Sequence, residues 1–232
     1  MKQDRMNGII LGIFYILAAG ASIIAVVCYE PVLSEQWYMA VANGSETEVI
    51  IGVLNDLLLV VTAVGTAVML FPYLRHWNEH IALGYLCLRF MEAVFIAIGL
   101  VGILALLHLS SEYQAASPAS EGNLQTIGVV LQSFHSWTSV LGPNLMLGIN
   151  TSLYSYLLFR TGLVPKPLAI VGMATAVLVF IAGLLNMFDI IGSFSVAKGL
   201  IALPVGVYEM SLAVWLIVKG FHKQNLEKLR AN

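Results

Sequence analysis

Four ionisable residues stand inside long apolar stretches of this 232-residue chain, and they are the residues with which it could do chemistry: Asp56, Arg89, Glu92 and Glu209. A charged side chain at the centre of a membrane-spanning helix costs roughly 2.5–3.5 kcal/mol on insertion scales. Such residues therefore normally face the interior of a helix bundle and find partners there. Arg89 and Glu92 are three residues apart, which places them on one face of a helix. They form either a buried ion pair that fixes helix packing or part of a substrate or proton site.

The balance of these charges favours a functional site. Three carboxyl groups share one arginine, so at least one carboxyl is protonated, faces water or binds a cation. Burial favours the neutral form of a carboxyl, and such a group could relay protons or couple transport. We expect Arg89 to contact Glu209 on another helix, with Glu92 as the third member of the cluster. Asp56 stands apart, since it could simply reach outer water.

Two polar stripes suggest a cavity beside these charges, although hydrogen bonding between helices explains them as well. The predicted binding cluster therefore includes Asn55 and Asn144 together with the four ionisable residues. The stripes repeat at helical spacing. They consist of Asn55, Thr62 and Thr66 in one stretch, and of Asn144, Gly148, Thr151 and Ser155 in another.

Histidines offer a weaker candidate site. His108 and His135, with Glu112 nearby, have the ligand types that suit zinc. No paired-histidine motif accompanies them, so contact with headgroups or water is the simpler interpretation and no metal is assigned. The chain has no glycine-rich phosphate loop and no haem-attachment motif, and we predict no cofactor.

The elements that must position these residues are transmembrane helices. The composition is 59% apolar and 10% charged, with a mean hydropathy of +0.88. Soluble domains carry roughly 25% charged residues, which argues against a soluble enzyme or a nucleic-acid binder. A span needs about 20 apolar residues. Six stretches qualify, at about 9–29, 49–73, 81–109, 127–159, 168–188 and 199–221.

The fourth stretch is too long for one straight span and contains Gly142-Pro143, where proline removes a backbone donor. We interpret its start, up to about Trp137, as an interfacial or kinked extension. The sequence thus predicts an all-α, polytopic six-transmembrane-helix bundle, a single domain over residues 1–232. Nine of eleven Lys and Arg residues fall on one side, with Lys198 on the other and Arg89 within a span. This asymmetry places both termini in the cytoplasm.

Several segments resemble a bacterial membrane family catalogued as domain of unknown function 4386. The resemblance covers nearly the whole chain, and the Arg89/Glu92 pair with the later Glu209 is its most specific part. It implies six helices in a bacterial inner membrane and supplies no reaction or substrate. The matching segments are Leu70-Phe71-Pro72 with Arg75, Ala82-Leu83-Gly84-Tyr85 leading to Arg89 and Glu92-Ala93, Leu163-Val164-Pro165-Lys166-Pro167-Leu168, Pro204 with Glu209, and Trp215 to Phe221.

Three functions remain open at this point. The surplus carboxyls favour a small-solute or proton-coupled transporter. Six spans also divide into two halves of three helices with opposite membrane topology, an arrangement found in many transporters. The alternatives are a membrane-embedded enzyme acting on a lipid or isoprenoid, with Asp56 and the outer histidines as its acid–base set, and a structural or regulatory subunit. The expected partners are membrane lipids and an unknown substrate, not nucleic acid, and a homo-oligomer stays open.

The topology can be tested by labelling single cysteines from outside the cell, in a background without Cys28 and Cys87. Cysteines at Ser45 and Ser117 should react with an impermeant maleimide, because both positions lie in outer loops. Cysteines at Lys166 and Lys223 should react only after the membrane is made permeable. Labelling of either lysine position from outside would contradict this topology.

Overall fold

Helices account for all the regular structure in the parts of the chain that the computed structural model describes, residues 2–191 and 196–231, with the backbone alone for 196–199. A 3-10 turn spans Trp37–Met39, and a π-helical segment spans Val140–Met146. The α-helices are α1 Lys2–Cys28, α2 Glu30–Leu33, α3 Glu46–Leu74, α4 Glu79–Gln114, α5 Pro118–Ser139, α6 Leu147–Thr161, α7 Lys166–Met187, α8 Val196–Val218 and α9 Lys223–Ala231.

Five helices in these described ranges are long and apolar enough to cross a membrane. They are Lys2–Cys28, Glu46–Leu74, Glu79–Gln114, Lys166–Met187 and Leu200–Val218. Their exposed surfaces carry many large apolar side chains, such as Val61 and Val101, which is the pattern of helices that face lipid. The chain is therefore a multi-pass, all-helical membrane protein.

The predicted fourth stretch is not one of these five helices, because it is divided into α5, the π-helical segment and α6. Pro143 lies inside the π-helical segment, where its missing N–H and its ring prevent the regular hydrogen-bond pattern from continuing. A π turn absorbs this defect without ending the helix. The sequence places the interruption correctly at Gly142-Pro143, and the segment before it is a separate helix of 22 residues, α5.

The long helices close into a ring. α1 packs against α3, α3 against α4, α4 against α6, α6 against α7, α7 against α8, and α8 returns to α1. α5 packs on the outside of this ring against α4. The ring encloses a core of buried side chains to which α1, α3, α4, α6 and α8 all contribute.

Contacts between helix ends gather the basic residues at one end of the bundle, which we call the basic end. Arg5 donates to the last carbonyls of α8, and Arg230 of α9 pairs with Asp4 at 2.6 Å. The hydrogen bonds that Arg230 donates to the Asp4 carboxylate raise the pKa of its guanidinium. Nine basic residues lie at this end: Lys2, Arg5, Arg75, Arg160, Lys166, Lys219, Lys223, Lys228 and Arg230. The Lys198 side chain is outside the described residues.

The loop between α1 and α3 closes the opposite end. Trp37 is buried against Gly128 of α5, and Gln132 donates to the carbonyls of Val32 and Ser34. Ser110 of α4 donates to the carbonyl of Tyr38. The loop is therefore fastened to both α4 and α5, and it covers the end of the ring.

Close helix contacts depend on small residues, and Gly12 provides a test. A Cβ atom at Gly12 would lie 2.7 Å from the Ala213 carbonyl oxygen of α8, whereas one at Gly20 meets nothing within 4 Å. We expect Gly12→Ala to lower the free energy of unfolding in detergent micelles by about 1–3 kcal/mol, because the two backbones must separate. Gly20→Ala is the matched control on the same helix and should cost nothing. Equal effects of the two substitutions would contradict this packing.

Candidate functional site

An ion pair within α4 forms the centre of the site. The Arg89 guanidinium lies 2.9 Å from Glu92 Oε2, and both residues are buried, with 3% and 4% of their surfaces exposed. Arg89 Nε also donates to the Ala63 carbonyl of α3 at 3.3 Å, and the Asn150 amide of α6 donates to Glu92 Oε2. Three helices are thereby joined through one pair of charges. The pair is electrically neutral and hydrogen-bonded at both ends.

The expected ion pair between Arg89 and Glu209 does not form among the described residues. Glu92 is one turn away on the same helix and already faces the guanidinium, so Arg89 meets it without reaching across the bundle. Glu209 remains near enough for its charge to act on Arg89. The Glu209 residue is partly exposed, but its Oε1 atom is fully buried and has no hydrogen-bond partner.

Four tyrosines that were not predicted from the sequence lie around these charges. Tyr15 of α1, Tyr85 of α4, Tyr154 of α6 and Tyr208 of α8 are each at most 1% exposed. Tyr154 is central: its ring centroid is 5.3 Å from that of Tyr85, 6.3 Å from Tyr15 and 6.2 Å from Tyr208. The sequence carried no clear signal for them, because Tyr85 and Tyr154 lie within six residues of the ends of their apolar stretches, near the interface positions that tyrosine prefers.

We call Arg89, Glu92, Asn150, Glu209 and these four tyrosines the buried cluster. Its polar atoms are incompletely satisfied. Tyr208 hydrogen-bonds Ser155 at 2.9 Å, whereas the hydroxyls of Tyr15, Tyr85 and Tyr154 are buried with no partner of acceptable geometry. An unsatisfied buried polar group costs roughly 1–3 kcal/mol, and native proteins carry few of them. Three phenols and one carboxyl oxygen with poor hydrogen-bond geometry therefore lie together in a single cluster.

Irregular and close-packed backbone borders the buried cluster. A Cβ atom at Gly142, in the π-helical segment, would lie 3.2 Å from the Glu92 carbonyl oxygen. A Cβ atom at Gly172 of α7 would lie 2.3 Å from the Tyr208 ring. π turns occur frequently at functional sites, where they adjust the direction of the following residues. Here the π-helical segment immediately precedes the helix that brings Asn150 to Glu92.

The two predicted polar stripes mostly bond their own helices. Asn55 is partly exposed and donates to the Ile51 carbonyl at 2.8 Å, while Thr62 and Thr66 are buried and donate to carbonyls of α3. Asn144 donates to the Ser139 carbonyl at 2.8 Å across the π-helical segment. Of the second stripe, Ser155 hydrogen-bonds a tyrosine of the buried cluster. Asn150, which was not predicted, is the amide that donates to Glu92.

Asp56 belongs to a second group, nearer the opposite end of the bundle. Its carboxyl accepts a hydrogen bond from Tyr29 at 3.0 Å, and the Tyr29 ring meets the His135 imidazole edge to face at 5.8 Å. His135 Nδ1 lies 3.3 Å from the Gly99 carbonyl oxygen. The structure thus brings Asp56 and His135 to the same tyrosine and keeps them apart from the Arg89–Glu92 pair.

His108 does not join this group. It is exposed and lies 3.9 Å from Glu112, one turn away on α4. Within the described parts of the chain, no three His, Cys, Asp or Glu side chains come together in a way that would hold a metal ion.

Comparison with known proteins identifies one relationship. A family described as domain of unknown function DUF4386 matches residues 10–220. No curated protein matches the chain, and no solved structure does. The matched range contains every residue of the buried cluster.

Removal of Arg89 should expose the dependence of the fold on the ion pair. We expect Arg89→Met to lower the free energy of unfolding by about 3–5 kcal/mol, because it leaves the Glu92 carboxylate buried without its partner. Arg89→Met combined with Glu92→Leu should recover much of this loss, since no charge then remains unpaired. Denaturation in detergent micelles measures both effects.

Arg160→Met is the matched control, because Arg160 lies over the Trp77 ring at 4.7 Å near the surface of the basic end. It should cost no more than about 1 kcal/mol. If Arg89→Met is equally mild, the ion pair does not hold the three helices together.

Proposed function

Because the chain belongs to the family described as domain of unknown function DUF4386, and that description assigns no activity, we propose a function from the buried cluster. The protein is a small proton-coupled transporter of the bacterial inner membrane, and Glu209 is its proton-binding carboxyl. The observation that carries this proposal is the buried Glu209 Oε1 atom, which lacks a hydrogen bond of good geometry and lies near the Tyr154 hydroxyl, beside an arginine that Glu92 already neutralises.

Six crossings fit the ring of helices best. The π-helical segment and α6 have seven and 15 residues, and together they run without a break over 140–161. At about 1.5 Å per residue this rod is long enough to cross about 30 Å of hydrocarbon. It fills the place in the ring between α4 and α7, so it supplies the sixth crossing.

The gathering of nine basic residues at one end favours both termini in the cytoplasm. In this orientation the Arg89–Glu92 pair lies in the cytoplasmic half of α4. Asp56, Tyr29 and His135 then lie in the outer half of the bundle. Titratable groups would therefore be available from both sides of the membrane.

Charge balance assigns the proton to Glu209. The Arg89–Glu92 pair is neutral, so an ionised Glu209 would be a lone buried charge, which is expensive in a medium of low dielectric. The neutral acid avoids this cost. A proton reaches or leaves a buried carboxyl only through hydrogen-bonded groups or water, so exchange requires the ring to open. We therefore assign the closed conformation to the protonated protein. Opening of the ring to water would let Glu209 release its proton to solvent.

The unpaired tyrosine hydroxyls favour a transporter over a structural subunit. A subunit whose polar residues only lock helices together should satisfy each buried hydrogen-bonding group. Tyr15, Tyr85 and Tyr154 leave three hydroxyls unsatisfied. In a transporter these hydroxyls would bind water or a polar solute when the ring opens. The enzyme alternative is weakened because His108 lies apart from Asp56 and His135.

A carbodiimide experiment tests proton binding without knowledge of the substrate. Dicyclohexylcarbodiimide enters apolar sites and reacts with a protonated carboxyl to give a stable N-acylurea that mass spectrometry locates. We expect labelling at Glu209 that decreases as pH rises, since only the acid form reacts. Glu209→Gln should abolish this labelling. Glu92 should stay unlabelled, because it is ionised and paired with Arg89.

Proton flux into liposomes tests transport itself. Purified protein reconstituted with a trapped pH dye should take up protons when a mixture of candidate solutes is added outside, and Glu209→Gln should remove this uptake. Glu112→Gln is the control, since that carboxyl is exposed near the opposite end. Labelling of Glu92 in place of Glu209 would overturn the assignment of the proton. Flux that persists in Glu209→Gln would overturn the coupling.

A further inference from the structure

A second site lies at the basic end, away from the buried cluster. A cavity of about 60 Å³ opens between the start of α1, the end of α8 and α9. Its volume suffices for several water molecules or for one phosphate group. Phe221 and Leu226 form its apolar wall. None of the residues of the buried cluster lines it.

The side chains that line this cavity carry a net positive charge. Lys219, Lys223, Arg5 and Arg230 line it, together with the carboxyls of Asp4 and Glu227. Asp4 is bound to Arg230, and Arg5 is bound to the carbonyls that end α8. The two lysines are exposed, and no hydrogen bond or ion pair joins either ammonium group to the described residues. They are therefore the cations available to a ligand.

An apolar path leads from these lysines into the membrane region. Val207, Val214 and Val218 are more than half exposed on one side of α8. These three valines form an apolar stripe, and its last member, Val218, directly precedes Lys219. An ammonium group at the end of such a stripe stands where phospholipid headgroups lie, while the stripe itself can contact acyl chains.

We propose that this cavity binds the phosphate of an anionic phospholipid from the leaflet at the basic end. Lys219 and Lys223 neutralise the phosphate, and the acyl chains lie along the valine stripe of α8. The lipid would thereby hold α9 against α1 and α8. Free phosphate has the same charge but cannot use the stripe, so the lipid should bind more strongly.

Thermal unfolding in an uncharged detergent tests this site. Phosphatidylglycerol at about tenfold its dissociation constant should raise the midpoint by about 3–6 °C relative to phosphatidylcholine, because a ligand of the folded state stabilises it. Lys219→Gln with Lys223→Gln should remove this shift. Lys219→Arg with Lys223→Arg should keep it, and this variant also reveals any general damage to the fold.

The matched control is Lys166→Gln with Lys228→Gln, which removes the same charge from the basic end but does not line the cavity. It should retain the full shift. Inorganic phosphate and glycerol 3-phosphate at the same concentration should give little stabilisation. If they stabilise as much as the lipid, or if the control loses the shift as fully as the cavity variant, the lipid site is disproved.

Discussion

Neutralisation of Arg89 inside an apolar bundle is the constraint on which the rest of the interior depends. Glu92 supplies the opposite charge from the same helix, Ala63 of α3 accepts from Nε, and Asn150 of α6 donates to the carboxylate. A charge pair in a low-dielectric interior is tolerated only when its remaining hydrogen-bonding capacity is used. This requirement restricts how α3, α4 and α6 can lie relative to one another.

Once Arg89 and Glu92 neutralise each other, Glu209 becomes the unbalanced group. Its surroundings are phenols, which can donate to a carboxylate or accept from an acid without bringing a charge of their own. Tyr154 contacts the rings of Tyr15, Tyr85 and Tyr208, so the aromatic surfaces pack well even where the hydroxyls lack partners. The aromatic rings of the buried cluster are therefore well packed, whereas several of its polar atoms lack well-formed hydrogen bonds. This combination suits a site that must change its protonation or its occupant.

The interruption at Pro143 connects backbone chemistry to this site. Proline cannot continue the regular helix, and the resulting π-helical segment passes closely beside the Glu92 carbonyl. The helix that follows carries Asn150 to the Glu92 carboxylate and Ser155 to the Tyr208 hydroxyl. A straight helix through this region would change the direction in which both side chains point.

The sequence by itself determined the membrane class, the apolar stretches, the break at Gly142-Pro143 and the excess of buried carboxyls over arginine, because these depend on composition and on order along the chain. It also selected Arg89, Glu92 and Glu209. Only the tertiary structure decided that Arg89 pairs with Glu92, that Asn150 donates to this pair, and that four buried tyrosines lie beside it. The reason is physical: helical periodicity shows which residues share a face, but the packing of the ring decides which faces meet.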